Sequence, residues 1–156
     1  LTLEVLKSTE IEGEFLDPEQ VRSSIARKVG MEIAGSVESD RHVDGMVEMM
    51  LDATQRCFEP LTTERLFDWH AALFPTGRSG MYKINVASWR KDETGPMQVV
   101  SGALGKEKVH FQAPTAALVE AEMRQFLEWY NQPTEADLVI KAAIAHLWFV
   151  TIHPFD

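Results

Sequence analysis

The segment from Ala136 to Ile152 constrains the fold more than any other part of the chain, because it has helical length and is apolar nearly all round. A helix without a polar face avoids water on every side, so the pattern predicts that this helix is the buried centre of a helical bundle. Asp137, Lys141 and His146 interrupt the segment too often for a membrane span. The sequence therefore predicts a globular helical domain that does not enter a membrane.

Four further segments place apolar residues at helical spacing, and most of them begin or end at a recognisable helix signal. In the first segment, Asp17 fits an N-cap, Pro18 a first-turn proline and Gln20 a capping-box partner. The predicted helices run from Pro18 to about Ile33, from about Asp40 along an apolar face that ends at Phe58, from Thr62 to Phe74, and from Pro114 to Tyr130. Together they predict an all-α, mainly helical fold.

The stretch from Thr76 to Ala113 lacks a sustained helical face and is punctuated by glycines. Within it, residues 97–101 and 108–111 have the character of short strands, which predicts one β-hairpin over residues 97–111 with a long, mobile turn. A lone hairpin is marginally stable in water, so it must lie against the helices or receive a segment at its edge. We therefore interpret it as an element that docks a substrate.

The charge of the chain narrows the classes of partner. Its 24 acidic and 15 basic residues give a formal net charge of -9, and the basic residues form no block. A surface that follows a phosphate backbone is not expected, so no nucleic-acid partner is predicted for this stretch. The one cysteine, Cys57, excludes an intrachain disulfide and fits a reducing cytoplasm, and we interpret it as a packing residue.

A histidine stands where the last predicted helix ends. His153 is followed by Pro154, which lacks an N–H group and disfavours helical geometry in the residue before it, so the helix presents an imidazole on a rigid support. A metal triad of His146, His153 and Asp156 is disfavoured, because residues seven apart on a helix are separated by about 10 Å along its axis. In a non-enzymatic regulatory or interaction module, His153 would only close the helix, and the residues alone leave that alternative open.

Three regions of the sequence resemble the proteins of the Fic-domain family. The terminal residues His153-Pro154-Phe155-Asp156 are similar to the first four positions of the family signature, H-P-F-x-(D/E)-G-N-G-R-x-x-R. The stretch Ser8–Gly13 is similar to the motif (S/T)-x-x-x-E-(G/N) of members with an N-terminal inhibitory helix. The hairpin and the helix after it resemble the flap that docks target proteins, which would comprise Val99, Val100, Val109, His110 and Phe111. The resemblance spans nearly the whole chain and implies a Fic-type helical bundle with one flap, truncated within the signature.

The resemblance implies an enzyme that transfers AMP from ATP to a hydroxyl side chain of a target protein, or of the enzyme itself, with release of pyrophosphate. In that case His153 is the general base, Pro154 fixes the turn and Phe155 anchors the loop. The family's magnesium ligand is the fifth position of the signature, so it would follow Asp156, and no metal ligand is expected within this chain. A chain that stops at Asp156 is therefore expected to be inactive by itself.

The same resemblance implies that Glu12 restrains the enzyme. The family's inhibitory glutamate pairs with the second arginine of the signature and keeps the γ-phosphate of ATP from its productive position, and Ser8, four residues earlier, would steady Glu12. Without the resemblance, Glu12 and Gly13 would end a helix with a carboxylate that faces solvent.

The resemblance also predicts how the chain is organised. Residues 1–60 are expected to form an N-terminal helical region that includes the inhibitory helix, and residues 61–156 the N-terminal part of the Fic core, with no independent linker. Related enzymes use another nucleotide or remove AMP, and a general base does not discriminate among these reactions. The target protein and the oligomeric state stay open, with a homodimer as one option.

Overall fold

The computed structural model describes residues 1–92, 95–103 and 105–156. Over these residues the fold is mainly helical, as predicted, with six helices and two short antiparallel pairs of strands. The elements are α1 (Thr2–Ile11), α2 (Pro18–Lys28), α3 (Arg41–Gln55), α4 (Thr63–Leu73), β1 (Arg78–Ser79), β2 (Tyr82–Lys83), β3 (Gln98–Ser101), β4 (Lys108–Gln112), α5 (Ala116–Asn131) and α6 (Leu138–Ile152).

The chain forms two compact units. The first comprises residues 1–60 and 64–87, and the second comprises residues 61–63 and 88–156. The division into an N-terminal region and a Fic core, which rests on family resemblance, stays a prediction.

In the first unit, α1, α2 and α3 share one apolar core. Val5 of α1, Val21 of α2, and Val43 and Val47 of α3 are each at most 2% exposed. Burying a side chain of this kind contributes roughly 1.5–3 kcal/mol to folding, so this cluster is the main apolar support of α1. The apolar spacing predicted for α2 is confirmed at Val21 and Ile25, and most of that predicted for α3 is confirmed, whereas Val29 at the end of α2 is 41% exposed.

α4 is held against α3 by a close backbone approach and by a shared carboxylate. Gly45 of α3 lies so near α4 that a Cβ atom at this position would be 1.8 Å from the carbonyl oxygen of Ala72. Further along α3, the Asp52 carboxylate accepts hydrogen bonds from Nε of Arg65 (2.6 Å) and from Nε1 of Trp69 (2.7 Å). The two contacts fix the separation of the helices and their relative position.

The N-cap predicted for α2 is confirmed, but the capping box is not formed as predicted. The Asp17 carboxylate accepts hydrogen bonds from the N–H groups of Glu19 (2.8 Å) and Gln20 (3.4 Å). The Gln20 side chain accepts a hydrogen bond from the N–H of Asp40 (3.0 Å), the N-cap residue of α3. Gln20 therefore connects the starts of two helices.

The same helix ends earlier than predicted. α2 stops at Lys28 rather than near Ile33, because Gly30 adopts a positive φ of 73°. The N–H of Met31 then donates to the carbonyl oxygen of Ala26 (2.8 Å), a bond typical of the Schellman motif. The glycine therefore ends the helix, and the apolar spacing beyond it is not helical.

α3 also ends before the last residue of its predicted apolar face. The helix stops at Gln55, and Phe58, which was expected to pack, is 98% exposed. Cys57 is exposed as well, so its interpretation as a packing residue is wrong. Helical spacing no longer orients these side chains toward the core once the backbone leaves the helix at Arg56.

β1 and β2 form a hairpin that the sequence did not predict. Arg78 pairs with Lys83 and Ser79 with Tyr82, and Gly80 in the turn has a φ of 57°. Strands of two residues are too short to show the alternation of apolar and polar residues by which strands are recognised.

In the second unit, α5 packs on α6 through aromatic side chains. The Phe126 ring of α5 lies 5.7 Å from the ring of Trp148 and 5.8 Å from that of Phe149, centroid to centroid. Such pairs contribute about 0.5–1.5 kcal/mol each beyond the burial of their area. Val119, Met123 and Phe126 are buried, so the apolar face predicted for α5 is confirmed at these residues, whereas Tyr130 at its end is 39% exposed.

The prediction that α6 is the buried centre of a bundle is wrong for this chain. The helix begins at Leu138, after the predicted Ala136, and of its residues, all of which the structure describes, only Ala145 and Ile152 are buried. Six large aliphatic side chains are 45–75% exposed, namely Leu138, Val139, Ile140, Ile144, Leu147 and Val150. An apolar sequence indicates that burying the helix would be favourable. It does not show whether neighbouring elements cover the helix. Among the described residues, no helix has both the length and the apolar character needed to cross a bilayer.

Candidate active site

His153 leaves α6 in a backbone conformation that few residues other than glycine adopt. α6 ends at Ile152, and His153 follows as its C-cap with a φ of 50° and a ψ of 64°. Its N–H still donates to the carbonyl oxygen of Phe149 (3.0 Å), which completes the last turn. This left-handed geometry costs a residue with a side chain roughly 1–2 kcal/mol, so the surroundings must hold it.

The imidazole of His153 remains accessible to solvent. Partial burial and, after it, the positive charge of Arg90 lower the pKa of His153 below its ordinary value of 6.5. Both effects disfavour the charged imidazolium relative to the neutral ring. Near pH 7 the ring is therefore mostly neutral and able to accept a proton.

One buried arginine contacts the backbone on both sides of His153. Arg90 is 2% exposed. Its Nε donates to the carbonyl oxygen of His153 (2.6 Å) and its Nη2 to that of Ile152 (3.5 Å). Its backbone N–H donates to the carbonyl oxygen of Pro154 (2.8 Å). The last carbonyl groups of a helix have no hydrogen-bond donors within the helix. Here Arg90 supplies the donors.

The same guanidinium is connected to the start of α5. Arg90 Nη1 donates to the Asp92 carboxylate (2.7 Å), and Arg90 Nη2 donates to the carbonyl oxygen of Pro114. The other carboxylate oxygen of Asp92 accepts a hydrogen bond from the N–H of Ala116 (2.7 Å), the first residue of α5. The Arg90–Asp92 pair thus joins the end of α6 to the beginning of α5.

Phe155 packs against other aromatic rings. Its ring centroid lies 5.4 Å from that of Trp89 and 6.3 Å from that of Phe149. Beside these rings, the motif and the last turn of α6 line a depression of about 270 Å³, formed by Phe149, Val150, His153, Pro154, Phe155 and Asp156. Among these lining residues His153 has the one titratable ring and is exposed, whereas Pro154 is buried. The roles predicted for Pro154 and Phe155 stay predictions.

Sequence reasoning missed Trp89, Arg90 and Asp92. Arg90 and His153 are separated by 63 positions in the sequence, so no local spacing connects them. These residues also lie in the glycine-punctuated stretch without periodicity. The only available signal was an arginine directly after a tryptophan, which is not specific.

The predicted hairpin is present as β3 and β4, and its turn contains Leu104, which lies outside the described residues. The opposed pairs are Gln98 with Gln112, Val99 with Phe111, Val100 with Val109, and Ser101 with Lys108. His110 is therefore an extra residue that forms a β-bulge in β4, where its Nε2 lies 2.6 Å from the hydroxyl oxygen of Ser101.

The hairpin is exposed along both strands. Its apolar side chains are 40–59% exposed, namely Val99, Val100, Val109 and Phe111. Among the described residues, β3 and β4 pair only with each other, so each strand has an outer edge that is not part of a sheet. An edge of this kind is able to bind an extended segment through backbone hydrogen bonds.

The residues predicted to be inhibitory lie at the end of α1. Glu12 is the C-cap residue, and Gly13 follows with a φ of 85°. The N–H of Glu14 donates to the carbonyl oxygen of Thr9 (2.9 Å), as in a Schellman motif. Ser8 and Glu12 are exposed. This geometry is that of an ordinary helix end with an accessible carboxylate, and the inhibitory role stays a prediction.

Two histidines outside the signature, His70 and His146, also bear on the search for a metal site. His70 is 4% exposed, and its Nδ1 accepts a hydrogen bond from the N–H of Ala87 (3.2 Å), which fits a packing role. His146 is exposed on α6. Within the described part of the chain, no group of three or more His, Cys, Asp or Glu residues is placed to hold a metal ion.

Comparison with known proteins identifies the family to which the chain belongs. The family model described as Fic/DOC family matches residues 60–156, and a second one, described as Domain of unknown function (DUF4172), matches residues 1–31. A solved structure of a Fic family protein from Desulfovibrio desulfuricans G20 has a similar fold, with 22% sequence identity and a TM-score of 0.59. The match covers 99% of this chain and 42% of that chain. No curated protein matches the chain.

The present chain therefore spans less than half the length of that solved chain. At 22% identity the likeness shows the fold alone. The family match is independent of it and extends over more than half of the sequence. This chain belongs to the Fic/DOC family.

Proposed function

We propose that the full-length protein is a protein adenylyltransferase, which transfers AMP from ATP to a hydroxyl side chain of a target protein. Membership of the Fic/DOC family supports this class of reaction. The observation that carries the proposal is the state of His153, which is accessible to solvent, is held at the end of α6 and has a lowered pKa. A neutral imidazole on a rigid support is suited to accept a proton near neutral pH.

In the proposed reaction the hydroxyl oxygen of the target attacks the α-phosphorus of ATP. The new bond joins that oxygen to phosphorus, the bond between the α-phosphorus and the bridging oxygen breaks, and pyrophosphate leaves. The hydroxyl proton passes to a ring nitrogen of His153. Assistance of this kind is typically worth a factor of about 10² to 10⁴ in rate. The neutral ring that the lowered pKa provides is the form that this step needs.

Magnesium, when bound, would neutralise charge on the phosphates of ATP. The resemblance assigns its ligand to the signature position after Asp156, so we assign no described carboxylate to the metal. The proposal for the present residues concerns proton transfer and the placement of the target.

The β3–β4 hairpin is proposed to dock the target. Its exposed edges offer backbone groups to an extended segment, and its exposed apolar side chains add contact area. Backbone pairing carries little sequence information, so this mode of docking suits targets that share an extended segment rather than a fixed motif.

Glu12 is proposed to hold the enzyme in a restrained state. Its carboxylate is exposed at the end of α1 and is therefore available to a cationic partner. A negative charge close to the phosphates of ATP would also repel them. The proposed partner is the second arginine of the family signature.

The experiment is mass spectrometry of the intact full-length protein after incubation with ATP, which detects self-modification by AMP. His153→Ala should abolish the added mass. The matched control is His146→Ala, an exposed histidine on the same helix, which should label like the wild type. Labelling of His153→Ala at the wild-type rate would refute the assignment of the base, and absence of any modification of wild type and added targets would favour a non-enzymatic module.

A further inference from the structure

We propose that Arg90 is a positioning residue for His153, because it holds the backbone of the end of α6 in the conformation that presents the imidazole. The inference rests on the proposed function, in which His153 accepts the proton. Arg90 itself is too buried to meet ATP or a target protein, since its side chain is 1% exposed.

The geometry is specific to the histidine and its neighbours. Three consecutive carbonyl oxygens, those of Ile152, His153 and Pro154, accept hydrogen bonds from one residue. Two of the bonds come from the guanidinium and one from the backbone N–H of Arg90. A change in the backbone angles of His153 would break at least one of them, so the set selects one orientation of the segment.

Two physical terms favour this arrangement. The carbonyl groups at the C-terminus of α6 carry partial negative charge, which a cation stabilises. His153 has a positive φ of 50°, which is unfavourable for a residue with a Cβ atom and persists only when its surroundings impose it. Arg90 supplies the positive charge at the helix end and also holds the backbone of His153 in its left-handed conformation.

Lysine is a poor substitute for this arginine. The guanidinium is a rigid planar fork that reaches the carbonyls of His153 and Pro114 and the Asp92 carboxylate at the same time. A lysine ammonium concentrates its donors at one point and cannot reproduce that spread. Arg90→Lys therefore keeps the positive charge and removes the simultaneous hydrogen bonds of the guanidinium.

The chain contains a matched control in Arg65. This side chain is 11% exposed, and its Nε donates to the Asp52 carboxylate (2.6 Å). Its other nitrogens donate to the carbonyl oxygens of Asp52 (2.9 Å), Arg56 (3.1 Å) and Glu59 (3.2 Å). Arg65 thus performs the same structural task in the first unit, away from the signature residues in the sequence.

The test measures kcat and KM for ATP, together with the thermal midpoint, for Arg90→Lys and Arg65→Lys in the full-length protein. Both variants should lower the thermal midpoint. Arg90→Lys should also lower kcat about 10–100-fold, because a misplacement of about 1 Å costs that much, while KM for ATP stays within about twofold. Arg65→Lys should keep the wild-type kcat. Equal kcat in both variants, after correction for the folded fraction, would overturn the proposal.

A milder variant covers the case in which Arg90→Lys does not fold. Asp92→Asn keeps Arg90 and removes the charge that fixes its Nη1. It should lower kcat in the same direction by a smaller factor, again with little change in KM. An unchanged kcat in a folded Asp92→Asn protein would count against the proposal.

Nuclear magnetic resonance separates failure of this inference from failure of the proposed function. Backbone ¹³C shifts of His153 report its positive φ and should move in Arg90→Lys but not in Arg65→Lys. If wild type transfers no AMP, the proposed function fails, and these shifts alone decide whether Arg90 sets the histidine's conformation. Unchanged His153 shifts in Arg90→Lys would overturn the inference.

Discussion

The Nε atom of Arg90 lies 2.6 Å from the carbonyl oxygen of His153, although the two residues are distant in sequence. The same guanidinium donates to the carbonyl oxygen of Pro114. Because Arg90 precedes β3 and Pro114 follows β4, this one side chain both closes the base of the hairpin and fixes the end of α6. Arg90 therefore holds both His153, the proposed base, and the β3–β4 hairpin, which is proposed to dock the target protein.

The pH dependence of AMP transfer should reflect the lowered pKa of His153. The reaction needs the neutral ring, so activity is lost as the pH falls and the ring takes up a proton. Partial burial and the charge of Arg90 lower the pKa, so the acidic limb of kcat/KM should have its midpoint below 6.5. Initial labelling rates across the acidic and neutral range measure it, and a midpoint above 6.5 would contradict the assignment.

Removing the Glu12 carboxylate should release the enzyme. In the full-length protein, Glu12→Gly is expected to raise self-labelling with AMP, and glycine is tolerated at a C-cap, where the helix has already ended. Glu12→Gln tests the charge alone. Its matched control is Glu10→Gln, an identical change on an exposed residue of the same helix, which should leave labelling unchanged. Equal labelling of wild type and Glu12→Gly would argue against inhibition by this residue.

Local patterns predicted the helices, and their limits explain the errors. The helical spacing predicted apolar faces for α2 and α3, and Val21 and Val43 on those faces lie in the core because both belong to continuous helices. Phe58 is exposed, against the prediction, because the backbone leaves α3 before it. Leu147 is exposed, against the prediction for α6, and the apolar sequence of this helix does not show which elements cover it. His153 was found because a helix exit before proline is a local signal, whereas the contact from Arg90 depends on tertiary folding.

Gly45→Ala should destabilise the first unit, against the usual preference of helices for alanine. In an isolated helix the change would be favourable by about 1 kcal/mol. Here the added Cβ would be 1.8 Å from the carbonyl oxygen of Ala72, so the helices must separate, at a cost of roughly 1–3 kcal/mol or more. Thermal and denaturant unfolding measure the loss. Glu48→Ala, at an exposed position of α3, is the control, and a stabilised Gly45→Ala protein would refute the close approach.

Asp52→Asn should weaken the attachment of α4 to α3. Burial raises the pKa of Asp52, but hydrogen bonds from Arg65 and Trp69 outweigh it, so the pKa lies below its ordinary value of 3.8. The carboxylate therefore stabilises the fold above about pH 4 and loses this effect as the pH falls through its folded-state pKa. Asp52→Asn should cost about 1.5–3 kcal/mol at neutral pH and less in acid, as measured by denaturant unfolding. Asp68→Asn, an exposed carboxylate on α4, should change little, and equal losses in both variants would contradict a special role for Asp52.

The exposed aliphatic face of α6 should make the 156-residue chain self-associate when it is produced by itself. Leu147 is 64% exposed and Val150 49%, and contiguous apolar surface of this kind promotes association. The chain should bind the dye ANS and scatter more light as its concentration rises, and Leu147→Lys should reduce both signals without lowering the thermal midpoint. Gln55→Lys makes the same substitution by lysine at an exposed polar position of α3 and should leave both signals unchanged. If Leu147→Lys behaves like Gln55→Lys, the face does not drive association; if it unfolds the chain, Leu147 is buried in solution.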